Sequence, residues 1–285
     1  MQIPFHKTHT TNEEIDSVVE SIKSGWLTMG PKTIEFEEKF REYIGCDYAV
    51  SMNSATAALH LALKAIGIKR GDEVILPTNT FIATAEVVTY FDAIPVLCDI
   101  EESTRNIDVS KIENLITNKT RAIMPVHFAG QPCDMDEIYQ IAKKYNLKVI
   151  EDAAHAMPSK YKNEYIGNLS GSDITCFSFY ATKTLSTGEG GMATTNNEAY
   201  AKSMKINRLH GISRDAWDRY TAKGSWYYEI VDNGCKYNTT DINASLGLVQ
   251  LKKQEILKDK RERIAIKYNK GFSNNSNISL PFIKN

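Results

Sequence analysis

The residue of this sequence best placed to do covalent chemistry is Lys183. It follows an apolar run, residues 173–179, and it precedes a stretch that contains Gly188, Gly190 and Gly191. A lysine between a buried strand and a turn lies at the edge of a core, where burial lowers its pKa by disfavouring the ammonium form. The neutral amine can then form a Schiff base with a carbonyl compound. The position of Lys183 therefore points to pyridoxal phosphate (PLP) as a cofactor.

A second cluster, Glu151, Asp152 and His155, comes directly after the apolar run that ends at Ile150. A carboxylate at the carboxyl end of a strand can keep a pyridine nitrogen protonated, so that the bound ring acts as an electron sink. The alternative is an ordinary helix start, where acidic residues are favourable. From these residues alone, both interpretations stay open.

Three further clusters have polar or aromatic residues at element boundaries. Residues 53–58 join a strand to a helix, and helix N–H groups with nearby hydroxyls bind phosphate, although Ser54 could simply cap the helix. Phe81 opens a helix and could stack on an aromatic ring, although a lone phenylalanine is more often part of a core. Residues 234–248 lead into a helix that Thr240 or Asp241 could cap, and their spacing assigns no function.

The elements that position these clusters alternate between strands and helices. Hydrophobic periodicity predicts strands at 47–52, 73–77, 94–98, 121–126, 147–151 and 173–179, with one more short strand before residue 195. It predicts helices at 12–23, 33–44, 54–66, 80–91, 109–116, 134–145, 197–208 and 241–270. This order predicts an α/β fold with a mainly parallel central sheet and helices on both faces. Ligands bind such sheets beyond the carboxyl ends of the strands.

Composition narrows the class of protein. The chain has 285 residues and a formal net charge of −1, which gives no electrostatic case for binding nucleic acid or an acidic membrane surface. Its five cysteines form no CxxC pair, so neither a metal site nor a disulfide framework is expected. The N-terminus lacks the pattern of a signal peptide, and no apolar run is long enough to span a membrane. We expect a cytoplasmic protein.

Together, the clusters resemble the DegT/DnrJ/EryC1/StrS family of sugar aminotransferases, which are fold-type I PLP enzymes acting on nucleotide-linked keto sugars. The matching stretches follow the order of the family and cover almost the whole chain. They are residues 24–31, 53–63, 76–85, 125–135, 150–156, 177–192, 208–217 and 234–251.

The resemblance implies a role for each residue that matches. Lys183 matches the Schiff-base lysine, and Asp152 matches the aspartate paired with the pyridine nitrogen. His155 matches a position near the ring hydroxyl, and Phe81 matches the aromatic residue stacked on the ring. The residues that match positions near the sugar nucleotide are Trp26, Thr28 and His210.

The resemblance also implies a phosphate site shared between two subunits. Ala55, Thr56 and Ser178 match phosphate contacts, and Ala55 stands where the family more commonly has glycine. Asn238 matches an asparagine that reaches the phosphate from the neighbouring subunit, which implies a homodimer with two shared sites.

The implied reaction transfers an amino group from glutamate to a nucleotide-linked 4-keto sugar for surface glycan biosynthesis. The run from Lys236 to Asn238 resembles the branch that aminates C4 of UDP-linked sugars, and amination at C3 stays open. Lys183 argues against the related sugar dehydratases, which have histidine there. The glycines do not form GxGxxG, which disfavours a Rossmann dehydrogenase. A truncated, non-catalytic or regulatory member is the remaining alternative.

The resemblance implies two domains. Residues 1–250 match the large PLP-binding domain, and 251–285 match a linking helix and the start of a small C-terminal domain that is largely missing. The chain is expected to be roughly a quarter shorter than a family member, which exceeds normal loop variation.

Overall fold

The computed structural model describes residues 3–213, 228–280 and 282–283. The helices are α1 (Asn12–Lys23), α2 (Pro31–Ile44), α3 (Ala55–Ile66), α4 (Ile82–Thr89), α5 (Val109–Ile112), α6 (Met135–Tyr145), α7 (Glu198–Asn207), α8 (Asp241–Lys252) and α9 (Gln254–Phe272). The strands are β1 (Tyr48–Met52), β2 (Glu73–Pro77), β3 (Ile94–Cys98), β4 (Thr120–Ile123), β5 (Lys148–Asp152), β6 (Lys160–Tyr161), β7 (Glu164–Tyr165), β8 (Ile174–Ser178) and β9 (Gly191–Thr195).

Seven of these strands form one sheet in the order β1-β9-β8-β5-β4-β2-β3, and β6 and β7 form a separate hairpin. Strand β9 runs antiparallel to both of its neighbours, whereas every other neighbouring pair in the sheet is parallel. The α/β fold with a mainly parallel sheet is therefore confirmed.

Helices cover both faces of the sheet, as predicted. Neighbouring residues of a strand point to opposite faces, and Val149 and Ile150 of β5 accordingly belong to different hydrophobic clusters. The cluster around Val149 includes residues of α2, α6 and α8, and the cluster around Ile150 includes residues of α3, α4 and α7. The strands read as apolar runs because both of their faces are buried.

The predicted helix at 241–270 is wrong in one respect, because it is two helices that meet at Lys253. The Lys253 ammonium lies 2.7 Å from the Thr11 hydroxyl and 2.9 Å from the buried carboxylate of Glu14. Although burial opposes it, the hydrogen bonds from Lys253 and Thr11 lower the pKa of Glu14 to about 2. This ionic contact ties the helix junction to the N-terminal segment. The domain division near residue 250 stays a prediction.

Smaller differences concern the ends of elements. The predicted helix at 109–116 is the short α5 followed by a 3₁₀ turn at Glu113–Leu115, and β4 ends three residues before the predicted bound at 126. Element ends are where local patterns are least informative. Within the ranges described above, no helix combines the length and apolar character needed to cross a membrane.

Candidate active site

Asp152 is the last residue of β5, and its buried side chain is held from two directions. The Thr84 hydroxyl, on α4, lies 2.7 Å from Asp152 Oδ2, and the Ala154 N–H lies 3.1 Å from Oδ1. The Asp152 backbone also pairs with the segment that follows β4, since its N–H donates to the carbonyl of Pro125. The carboxylate is thus fixed at the carboxyl edge of the sheet, where ligands bind in this class of fold.

Lys183 lies in the turn that follows β8, half-buried, as its sequence context predicts. Burial lowers the pKa of Lys183, and the negative charge of Asp152 opposes that shift. Because β5 and β8 are neighbouring strands, with Asp152 paired to Cys176, the turn that carries Lys183 lies at the same edge of the sheet as the carboxylate. The turn is secured on both sides of the lysine: the Thr8 hydroxyl donates to the carbonyl of Ala181 at 3.1 Å, and the Gln254 amide donates to the carbonyl of Thr184 at 3.3 Å.

Beside this turn, the ends of β1 and β8 lie level with the start of β9. Met52 pairs with Gly191, which pairs in turn with Ser178, so that the ends of β1 and β8 flank the start of β9. Helix α3 begins immediately beyond β1, with Ser54 as its cap. This geometry brings the free N–H groups at Ala55 and Thr56 to the same edge as the Ser178 hydroxyl, and such groups bind phosphate.

Gly191 is the residue that permits this close approach. A Cβ at Gly191 would lie 2.4 Å from the carbonyl carbon and oxygen of Ser54 and 2.6 Å from the nitrogen of Ala55. Real Cβ contacts do not reach such distances, and the obstacle is backbone that cannot swing away. Of the three glycines noted in the sequence, Gly188 has the positive φ, +80°, and open space around its Cα.

We expect Gly191→Ala to weaken PLP binding by about tenfold or more, because the methyl group must push the start of α3 away from β9. Overpacking of this kind costs roughly 1–3 kcal/mol, and each 1.4 kcal/mol is tenfold in affinity. The measurement is the dissociation constant from titration of apoprotein with PLP. The control is Gly271→Ala in α9, where a Cβ meets nothing within 4 Å and binding should not change.

Phe81 and His155 border the same region. Phe81 is the N-cap residue of α4 and is 76% exposed, so its ring is available for stacking. His155 Nδ1 accepts a hydrogen bond from the N–H of Ala129 at 3.3 Å, which assigns the ring hydrogen of the neutral form to Nε2. Desolvation lowers the pKa of His155, and the charge of Lys183 acts in the same direction. His155 is therefore close to the amine and favoured in its neutral form.

The loop that carries Trp26 and Thr28 is fixed by Asp241, the first residue of α8. The buried Asp241 carboxylate accepts hydrogen bonds from the N–H groups of Gly30, Lys32 and Thr33 at 2.8–3.0 Å, and its own N–H donates to the carbonyl of Thr28 at 3.1 Å. Gly30, the N-cap residue of α2, provides no side-chain cap, and Asp241 supplies one from a distant element.

His210 lies on the neighbouring segment, since Met29 packs against Leu209 and Ile212. The His210 N–H donates to the carbonyl of Cys235 at 2.8 Å, and its side chain is exposed. Trp26, Thr28 and His210 are thus on adjacent segments, and their place near the sugar nucleotide stays a prediction. Residues 214–217 of the matching stretch lie outside the described residues.

Asn238 lies close to the start of α3 in its own chain. The carbonyl of Tyr237 accepts the N–H of Asn53 at 2.8 Å. Asn238 Oδ1 accepts from the Lys236 ammonium at 2.6 Å, and its amide donates to the carbonyl of Thr239 at 3.0 Å. Its reach into a neighbouring subunit stays a prediction.

A buried pair of side chains beside Asp152 was not predicted from the sequence. The fully buried side chains of His127 and Glu151 are 2.8 Å apart, from Nε2 to Oε2. The Cys133 N–H donates to His127 Nδ1 at 3.2 Å, and the Tyr139 hydroxyl donates to Glu151 Oε1 at 2.9 Å. Because Glu151 points away from Asp152 along the strand, the pair fixes the end of β5 from the opposite face.

The side chains at this edge match the parts of PLP in kind. They are an amine of lowered pKa, a fixed carboxylate, a helix start with a nearby hydroxyl, and an exposed aromatic ring. They suit an aldehyde, a pyridine nitrogen, a phosphate and a ring face, respectively. The residues present therefore fit the cofactor.

The fold and this set of side chains define a PLP-dependent transaminase. The chain belongs to the DegT/DnrJ/EryC1/StrS aminotransferase family, whose model matches residues 8–284. It is a PLP-dependent sugar aminotransferase, which confirms the predicted class of enzyme and its cofactor.

Three similar proteins illustrate the relationship. MJ1066 of Methanocaldococcus jannaschii, an uncharacterised protein, is 57% identical over 272 residues, which are 95% of this chain and 70% of the relative. The spore coat polysaccharide biosynthesis protein SpsC of Bacillus subtilis is 47% identical over 281 residues, 99% of this chain and 72% of the relative. The PLP form of Spr1654 from Streptococcus pneumoniae, provisionally assigned as a sugar aminotransferase, superposes with a TM-score of 0.87 at 39% identity, over 96% of this chain and 72% of that one.

Proposed function

We propose that this enzyme transfers an amino group from glutamate to C4 of a nucleotide-linked 4-keto sugar, in the cytoplasm, for the synthesis of a surface glycan. SpsC, whose name assigns it to spore coat polysaccharide biosynthesis, supports the setting. The five free cysteines support a reducing compartment. The run from Lys236 to Asn238 resembles the branch acting on UDP-linked sugars, and this supports amination at C4.

The observation that carries the proposal is the placement of Lys183, in the turn after β8, at the same edge of the sheet as Asp152, at the end of the neighbouring strand β5. When bound there, PLP supplies an electron sink through its protonated ring. Asp152 would hold the proton on the ring nitrogen. Lys183 Nζ, neutral for a larger fraction of the time because its pKa is lowered, would accept the proton that leaves the Cα of the amino donor in the first half-reaction, and would deliver a proton to the sugar carbon in the second.

The other residues bind and orient. The N–H groups at Ala55 and Thr56 and the Ser178 hydroxyl would hold the phosphate of PLP, and Phe81 would stack on its ring. His155 would help to orient the ring. The residues assigned to the sugar nucleotide are Trp26, Thr28 and His210.

The test of the function is incubation of the purified protein with PLP, glutamate and a UDP-linked 4-keto sugar. Formation of 2-oxoglutarate together with a 4-amino sugar supports the proposal, and NMR of the product distinguishes amination at C4 from amination at C3. If neither the UDP-linked sugar nor its dTDP- and GDP-linked counterparts yields 2-oxoglutarate, the alternative of a non-catalytic family member is favoured.

Capture of PLP by the apoprotein should accelerate with rising pH, because only neutral Lys183 attacks an aldehyde. Since burial lowers the pKa of Lys183, the rate should reach its plateau at a lower pH than the rate of free Nα-acetyl-lysine. Asp152 raises that pKa, so Asp152→Asn should move the plateau lower still. Stopped-flow absorbance at several pH values measures the rate, and a plateau at the same pH as for Nα-acetyl-lysine would contradict the assignment.

The homodimer with shared sites has a direct test in mixed subunits. Lys183→Ala and Asn238→Ala should each give weakly active protein when pure. If Asn238 serves the neighbouring site, a dimer of one subunit of each kind has one site with both residues intact, and mixing should restore activity. If Asn238 serves its own subunit, neither site is intact and mixing restores nothing. Lys202 is exposed, so a mixture of Lys202→Ala with Lys183→Ala serves as the control for the effect of mixing alone.

A further inference from the structure

Two threonine hydroxyls form a short chain of hydrogen bonds that ends on Asp152. Thr84 Oγ1 lies 2.7 Å from Asp152 Oδ2, and Thr80 Oγ1 lies 2.6 Å from Thr84 Oγ1. A hydroxyl has one proton to donate, and an ionised carboxylate accepts only. Thr84 therefore donates to Asp152, which leaves Thr80 to donate to Thr84. Each bond polarises the next toward the carboxylate.

Thr84 does not behave as threonine ordinarily does inside a helix. Such hydroxyls usually bond to a backbone carbonyl in the preceding turn, as Thr89 of the same helix does with the carbonyl of Glu86 at 2.7 Å. Thr84 is 0% exposed, and its bond crosses from α4 to the end of β5. The contact joins two elements at the point where they meet the site.

The carboxylate is held in a way that leaves it able to accept a further hydrogen bond. Thr84 occupies one position on Oδ2, and the Ala154 N–H occupies one on Oδ1, at 3.1 Å. Each carboxylate oxygen accepts about two hydrogen bonds, so capacity remains for a donor approaching from the site. Two donors on different oxygens also fix the plane of the group. Without Thr84, the carboxylate could rotate about its terminal bond.

We propose that Thr84 is a positioning residue that orients Asp152 toward the ring nitrogen of PLP, and that Thr80 strengthens this hold through the Thr84 hydroxyl. The inference rests on the role given to Asp152 in the proposed function. It requires neither the sugar substrate nor the amino donor, so its test does not depend on which sugar the enzyme aminates.

The test is Thr84→Val, which keeps the shape of the side chain and removes the hydroxyl. The dissociation constant of PLP, from titration of the apoprotein, should rise roughly 10- to 100-fold, as expected for the loss of one hydrogen bond to a charged group. Thr84→Ser, which restores the hydroxyl, should bind PLP within about threefold of wild type. Thr80→Val should weaken binding in the same direction by at least about twofold.

The control is Thr89→Val, which removes the local bond on the same helix and should leave the affinity for PLP unchanged. Melting of each apoprotein shows whether the variant folds. If Thr84→Val does not fold, Thr80→Val decides the question, because Thr80 is only partly buried. If Thr84→Val folds and its affinity for PLP is within twofold of wild type, the proposal is overturned. If Thr84→Val does not fold, the same result in Thr80→Val overturns it. If Asp152→Asn binds PLP as wild type does, the role of Asp152 fails, and the inference fails with it.

Discussion

Lys183→Ala should abolish the visible absorbance band of bound PLP and lower turnover by about 10²- to 10⁴-fold. The size follows from the loss of a positioned base, which contributes that much in enzymes generally. The variant loses both functions that the site gives the amine, namely covalent attachment of the cofactor and transfer of the Cα proton. Absorbance spectra before and after borohydride reduction measure the first function, and release of 2-oxoglutarate measures the second.

Two comparisons make this result specific. Lys183→Arg keeps a positive charge beside Asp152 but supplies no neutral amine, so it should be as inactive as the alanine variant. Added methylamine should recover part of the activity in Lys183→Ala, where the space of the side chain is empty. A Lys183→Ala protein with the absorbance band of wild type would show that another residue holds the cofactor.

Asp152→Asn should have the second-largest effect, a loss of at least about 30-fold in kcat with a smaller change in the KM for glutamate. Truncating one partner of a buried, hydrogen-bonded charge pair costs roughly 2–5 kcal/mol, and each 1.4 kcal/mol is tenfold. An asparagine cannot keep the ring nitrogen protonated, and that proton matters most when negative charge develops on the ring. The effect therefore belongs mainly to kcat.

Asp152→Glu is the matched comparison, since it keeps the charge and displaces it from Thr84. We expect it to retain more activity than Asp152→Asn and to respond less to Thr84→Val, because that contact is already disturbed. Steady-state kinetics are measured for Asp152→Asn, Asp152→Glu, Thr84→Val and the double variant Asp152→Glu/Thr84→Val. The double variant, compared with its two single variants, gives the coupling energy between Asp152 and Thr84. Equal kcat in Asp152→Asn and wild type would exclude the assigned role.

Local sequence pattern predicts most of this fold because most of it depends on local burial. Short apolar runs between helical periods mark the parallel strands, and the polar residues after them mark the edge where ligands bind. Lys183 and Asp152 stand out for that reason. The pairing of β9 with β1 has no such mark, since β1 lies more than a hundred residues earlier.

The contacts that sequence analysis missed join residues far apart in the chain. Thr84 and Asp152 are 68 positions apart, and the Gly30–Asp241 contact spans 211 positions. A threonine in the first turn of a helix and an aspartate at the start of another have common local uses as caps. Nothing in their neighbouring residues indicates that each serves a different element. The break at Lys253 was missed for the same reason, because its partner is Glu14.

The direction of β9 has a thermodynamic consequence for the lysine turn. Because β9 returns beside β8, the connection between Ser178 and Gly191 begins and ends on adjacent strands, and a parallel neighbour would have required a long crossover. The entropy of closing this loop is lost when the sheet folds. PLP therefore meets an amine that is already confined, and a smaller part of its binding free energy is spent on ordering the chain.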